Sequence, residues 1–265
     1  MQEVQKNSLI YLCAENIEAP HCFTTRYGGV SEGVCSSMNI GTHRPDKLEN
    51  VLKNYDILAN AVGFDVQKLV LTHQTHTDIV RVVTEKDWGA GLFAPEFSDC
   101  DGLITNTPGT GLVIFSADCT PILLWDEVTG AVGAAHAGWR GTAAQIGAKT
   151  VQKMVEELGC DPKNIRAAIG PNIGQCCFET DQDVPNAMLN SFGEEAESYI
   201  RQVDKKYYVN LKGLNALSLQ LAGVTQIEIS EECTKCQPDK YWSARITGGN
   251  RGSQGAIIVC KEVGK

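Results

Sequence analysis

With 265 residues, 43% of them hydrophobic and 21% charged, the chain has the composition of a soluble globular protein that can bury a substantial core. Its net charge of -9 argues against the clustered basic surface that holds a nucleic-acid backbone, so no nucleic-acid partner is expected. No apolar run approaches the roughly 20 residues of a membrane helix, which leaves no membrane partner to expect.

The chain begins with an acid at Glu3 and a short apolar stretch at Leu9-Ile10-Tyr11-Leu12, which is no secretory signal, so a cytoplasmic location is expected. A first helix is predicted over 50–62, with Val51, Tyr55, Leu58 and Val62 on one face and Gly63 as its stop. Strand-like runs follow at 69–72, 79–83, 111–117, 121–125 and 131–135. The clearest helix covers 142–158, where Thr142 and Gln145 suggest a capping box and Gly159 an end. Beyond it lie strand runs at 165–169, 227–229 and 256–260, and a helix starting at Asn210 and carrying Leu211, Leu214, Leu217 and Leu221. Several strands are continuously apolar, the pattern of sheets covered on both faces. A layered α and β protein follows, and the lack of a linker, charge block or repeat predicts one domain over 1–265.

Eleven cysteines are too many to ignore and cannot all pair within one chain. Cys233-Thr234-Lys235-Cys236 invites a metal or redox reading, but no second pair at similar spacing completes four ligands, so it is read with Cys176-Cys177 as packed thiols. Among the five histidines, His76 lies between two predicted strands and His136 closes an apolar one, while Cys119 follows the strand ending at Ala117. Strand ends place functional groups on a rigid scaffold, and two imidazoles with a thiolate suit zinc and leave its fourth position open. Satisfied core residues are the alternative, because the three are far apart in sequence and form no local zinc motif.

The segments Gln74-Thr75-His76, Ser116-Ala117-Asp118-Cys119-Thr120-Pro121, His136-Ala137-Gly138-Trp139-Arg140-Gly141 and Ile169-Gly170-Pro171-Asn172-Ile173-Gly174 resemble the successive signatures of the YfiH/laccase-domain family. Thr24-Thr25-Arg26-Tyr27-Gly28-Gly29-Val30-Ser31 and Met38-Asn39-Ile40-Gly41 match its N-terminal signature. The resemblance implies an α+β fold with mixed sheets in four αββα layers, and a zinc ion on His76, Cys119 and His136, which are then also catalytic. It further implies phosphorolysis of adenosine, inosine, guanosine and methylthioadenosine, with adenosine deamination beside it. Nucleoside and phosphate become the small-molecule partners, and the chain a monomer or homodimer. Three other readings stay open: a polyphenol oxidase using copper, a cysteine hydrolase with Cys119 as nucleophile and His136 as base, and a nucleoside binder with little turnover.

Substrate contacts are expected from Arg26, Asn39 and Arg140, with a turn arginine, a buried turn amide and a local ion pair as their structural alternatives. Asp118 is a candidate to orient a ligating histidine, and His73 reads as a surface residue. The chain departs from the family pattern at Tyr55, where an arginine is usual and a substrate contact is lost, and at Ile246, Thr247 and Ser253 near its C terminus.

Overall fold

The computed structural model describes residues 1–261. Its strands are β1 (Gln2–Lys6), β2 (Leu9–Cys13), β3 (His21–Thr24), β4 (Leu69–Leu71), β5 (Val80–Val82), β6 (Gly102–Thr105), β7 (Gly111–Ser116), β8 (Thr120–Asp126), β9 (Val132–Ala137), β10 (Ile165–Ile169), β11 (Glu179–Thr180), β12 (Ile200–Val203), β13 (Lys206–Val209), β14 (Gln226–Ile229) and β15 (Gln254–Val259). The α-helices are α1 (Leu48–Val62), α2 (Trp139–Ala143), α3 (Ile146–Leu158), α4 (Asp183–Phe192), α5 (Leu211–Leu221) and α6 (Ala244–Thr247). No helix among the described residues is long and apolar enough to cross a membrane.

Two six-stranded mixed sheets form the centre, in the orders β1-β2-β3-β15-β7-β4 and β14-β10-β8-β9-β6-β5, and a small sheet β11-β13-β12 lies apart from them. Side chains alternate between the faces of a strand, and here both faces are apolar. In β8, Leu123 packs into the core shared by the two sheets, while Ile122 and Leu124 pack towards α3 and α5. In β7 and β15, Leu112, Ile114, Ala256 and Ile258 enter the shared core, while Val113 and Ile257 join a cluster with Val51, Tyr55 and Leu58 of α1. Hence the order of layers is α1, first sheet, second sheet, then α3 with α5. Each fully buried Leu or Ile contributes roughly 1.5–3 kcal/mol of hydrophobic free energy, which explains the unbroken apolar runs.

The long helix predicted over 142–158 is two helices. Gln145 takes a left-handed backbone, with φ 56°, and no side-chain cap forms there. Thr142 instead accepts a hydrogen bond from Asn215 Nδ2 of α5 at 2.9 Å. A tertiary partner thus replaces the local capping box. The other boundaries follow local rules: Gly63 and Gly159 end α1 and α3 in left-handed conformations, and Asn210 caps α5 by accepting from the Gly213 amide.

Candidate metal centre

The chain passes from the first sheet to the second between β4 and β5 and again between β7 and β8. His76 lies on the first passage and Cys119 on the second, and His136 belongs to β9, directly opposite Pro121 of β8. Three residues remote in sequence therefore meet where the sheets are stitched together. Their donor atoms all lie within 4.8 Å of one another, with 3.8 Å between Cys119 Sγ and His76 Nε2. A tetrahedral ion with bonds of ~2.0–2.3 Å to nitrogen and sulfur holds its ligand atoms about 3.3–3.8 Å apart, so these donors fit one ion with small adjustment.

Asp101, fully buried just before β6, organises the group. Its Oδ1 accepts from His136 Nδ1 at 2.8 Å, and its main-chain oxygen accepts from the His136 amide, also at 2.8 Å. Its carboxylate further accepts from the amides of Thr75, His76 and Thr77 and from the Thr77 hydroxyl. The left-handed backbone of His76, with φ 64°, accompanies this wrapping of the loop around the carboxylate. Occupying Nδ1 of His136 turns Nε2 towards Cys119 and fixes the tautomer a metal needs. Burial pushes the Cys119 thiol up, but His136 and His76 outweigh burial and bring it down to about 6. Burial likewise pulls His136 down, and the Cys119 thiolate and Asp101 raise it to about 9. Without metal the pair is thus a thiolate and an imidazolium.

Asp118 does not orient a histidine. Its carboxylate accepts from Thr234 Oγ1 at 2.6 Å, Ser243 Oγ at 3.0 Å and the Arg245 amide at 2.7 Å, and its own backbone has φ 92°. This corrects the expectation from sequence: Asp101 takes the histidine, and Asp118 pins the turn that presents Cys119.

The three donors open into a cavity of about 460 Å³ whose walls include His43, Arg44, His73, Phe115, Arg251 and Ser253. Arg26 and Arg140 are not among its lining residues. Arg26 donates to Pro238 O at 2.7 Å and Ser36 O at 3.1 Å and stacks on Trp242, and Arg140 is exposed and stacks on Trp139. Asn39 is fully buried and holds the cavity wall: its Oδ1 accepts from the amides of Gly41 and Ser253 and its Nδ2 donates to Asp46. The arginines that line the cavity are Arg44 and Arg251. Arg44 Nε donates to Ser253 Oγ at 2.8 Å, and Arg251 binds Gly248 O and Gly252 O. Burial and the neighbouring Arg44 charge lower Arg251 to about 10. His73 is a wall of the cavity and no stray surface residue. Tyr55, conversely, is fully buried on the inner face of α1, its hydroxyl donating to Ile40 O at 2.9 Å, so that departure lies in the core rather than in the cavity.

Comparison with known proteins agrees with this geometry. A family model described as multi-copper polyphenol oxidoreductase laccase matches residues 20–261. The purine nucleoside phosphorylase YlmD of Bacillus subtilis is 37% identical over 245 residues, covering 91% of this chain and 88% of that one. This chain belongs to the laccase-domain family. Another relative, the adenosine deaminase RL5 from an unknown prokaryotic organism, is 32% identical over 245 residues, covering 90% of this chain and 93% of its own. The crystal structure of YlmD from Geobacillus stearothermophilus superimposes with a TM-score of 0.92 at 34% identity, over 98% of this chain and 99% of that one. The mixed α+β fold with its several sheets is therefore the family's fold.

Two features escaped sequence reasoning. Asp101 carried one weak signal, an acid directly before the apolar run Gly102-Leu103-Ile104. Cys176 and Cys177 looked unrelated to Cys233 and Cys236, yet the fold brings all four sulfurs within 4.8 Å of one another.

Proposed function

We propose that the chain is a zinc-dependent purine nucleoside phosphorylase acting on adenosine, inosine, guanosine and methylthioadenosine, with adenosine deaminase activity at the same site. The observation that carries this reading is the meeting of His76, Cys119 and His136 at the floor of a cavity that also holds two arginines. A zinc ion on those donors supplies a Lewis-acidic centre with one open position. Asp101 keeps His136 in its ligating tautomer and holds the His76 loop. Arg44 and Arg251 bind phosphate, their mutual repulsion relieved by an anion between them. Phe115 offers a face for a purine ring. His43 and His73, each beside a carboxylate at Glu96 and Asp99, protonate the departing base.

The test is to incubate zinc-loaded protein with the four nucleosides, with and without phosphate, and to identify products chromatographically. Free base and the matching sugar phosphate, ribose phosphate or methylthioribose phosphate, should appear only with phosphate, and inosine from adenosine in either case. Equal product from wild type, His76→Ala and Cys119→Ala would reject the mechanism.

The description of the matching family model supports a second reading, oxidation of phenols with copper on the same donors. Oxygen uptake that needs copper and is absent with zinc, beside no nucleoside turnover, would favour it. The thiolate of Cys119 supports a third, a cysteine hydrolase. Activity retained in chelator and lost on alkylation would point there.

A further inference from the structure

A second group of metal-ligating side chains lies outside the cavity. Cys176 and Cys177 come from the turn ahead of β11, and Cys233 and Cys236 from the loop after β14. Cys236 Sγ is 3.7 Å from Cys176 Sγ and 3.4 Å from Cys177 Sγ, and all four sulfurs lie within 4.8 Å of one another. Zinc–thiolate bonds of ~2.3 Å place the sulfurs of a tetrahedral site about 3.8 Å apart. None of the four is in a disulfide. The sulfurs are thus gathered at the spacing of ligands.

The main chain brings the two loops together with its own bonds. Asn172 and Cys233 form a parallel bridge, and the Thr234 amide donates to Asn172 O at 3.0 Å. Around the sulfurs are groups that favour negative charge. The Gly174 amide donates to Cys233 Sγ at 3.1 Å, and Lys212, buried, donates to Ser230 O and Glu232 O immediately before Cys233. Amide donors to sulfur and a nearby ammonium are what a dianionic tetrathiolate centre requires of its surroundings.

The same loops brace the turn that presents Cys119. Thr234, between the two cysteines of its loop, donates to Asp118 Oδ1 at 2.6 Å. From the other loop, the Ile173 amide donates to Asp118 O at 2.9 Å and Asn172 Nδ2 to Thr120 Oγ1 at 2.7 Å. Both neighbours of Cys119 are therefore held by segments that end in the cysteine cluster. We infer that Cys176, Cys177, Cys233 and Cys236 form a closed tetrathiolate site for one zinc ion, and that this site stiffens the backbone beneath the cavity's thiolate. Its existence does not depend on which reaction the cavity performs.

The chain, reduced and freed of metal under anaerobic conditions, is titrated separately with zinc and with cobalt. Wild type should bind two equivalents of either ion. Cobalt in Cys119→Ala should occupy one site with the intense charge-transfer spectrum of four thiolates. In Cys236→Ser it should occupy one site with the weaker spectrum of a single thiolate and two imidazoles. Alkylation of wild type followed by mass mapping covers the case in which Cys236→Ser does not fold. There zinc should slow labelling of Cys176, Cys177 and Cys236 at least about tenfold, because the bound thiolate is withdrawn from reaction. A single equivalent in wild type without the four-thiolate spectrum, no cobalt site in Cys119→Ala, an unchanged metal count in Cys236→Ser, or labelling indifferent to zinc would each overturn the inference.

Discussion

Asp101 and His136 are joined twice, through a carboxylate bond to Nδ1 at 2.8 Å and through the Asp101 carbonyl to the His136 amide at 2.8 Å. The side-chain bond decides which ring nitrogen of His136 is free, and the main-chain bond fixes where that nitrogen points.

Asp101→Asn keeps the size of the side chain but removes the charge that the Thr75, His76 and Thr77 amides surround. We expect zinc affinity to fall about 10–100-fold, the range for partners of metal-ligating histidines. Competition with a chromophoric chelator measures it, and an unchanged affinity would mean that Asp101 serves the loop alone.

The metal-free protein should show the signature of a thiolate–imidazolium pair. Cys119 titrates at about 6, below its ordinary range, so its contribution to stability is present above its unfolded pKa and is lost as pH falls through about 6. His136 titrates at about 9, above its ordinary range, so its contribution is full below its unfolded pKa and is lost as pH rises through about 9. Between those values the gain from Cys119 and the loss from His136 offset each other, so stability of the apo-protein should change little with pH across that window. Thiolate absorbance at Cys119 should rise near 6 in wild type and move upwards by one unit or more in His136→Gln, a shift of about 1.4 kcal/mol per unit.

Gly138, directly after β9, leaves no space for a side chain. An added Cβ would sit 2.6 Å from His76 Cδ2 and 3.2 Å from Cys119 Sγ. Gly138→Ala should displace the exposed His76 ring and weaken zinc binding roughly tenfold or more, as misplaced ligands do. Thermal unfolding of the apo-protein should change little, because an exposed imidazole rather than the core gives way.

Arg44→Ala separates the two proposed activities. Losing a charged hydrogen bond to phosphate costs about 1.5–3 kcal/mol, so KM for phosphate should rise roughly ten- to hundredfold. Deamination uses no phosphate and should keep its rate. Equal losses in both activities would place Arg44 on the nucleoside instead.

The elements themselves were largely legible. Apolar runs at 121–125, 131–135 and 165–169 correspond to β8, β9 and β10, because a strand covered on both faces must be apolar at every position. The break at Gln145 was not legible, because it depends on Asn215, a residue of another helix, taking the Thr142 hydroxyl. The first strand also escaped: β1 is mostly exposed, so no burial shapes its sequence.

For the site, residue chemistry and position in sequence put Cys119 and His136 at strand ends and His76 between two strands, and the ordered motifs named the family to which they belong. Only the tertiary structure decided which groups surround them. It placed Asp101 rather than Asp118 on the histidine, brought Arg44 and Arg251 rather than Arg26 and Arg140 to the cavity, and joined Cys176 and Cys177 to Cys233 and Cys236. A strand end is set by local pattern, which a sequence displays. Which carboxylate, guanidinium or thiol reaches it depends on how two sheets stack and where their connections cross, and those contacts leave no periodic trace in the chain.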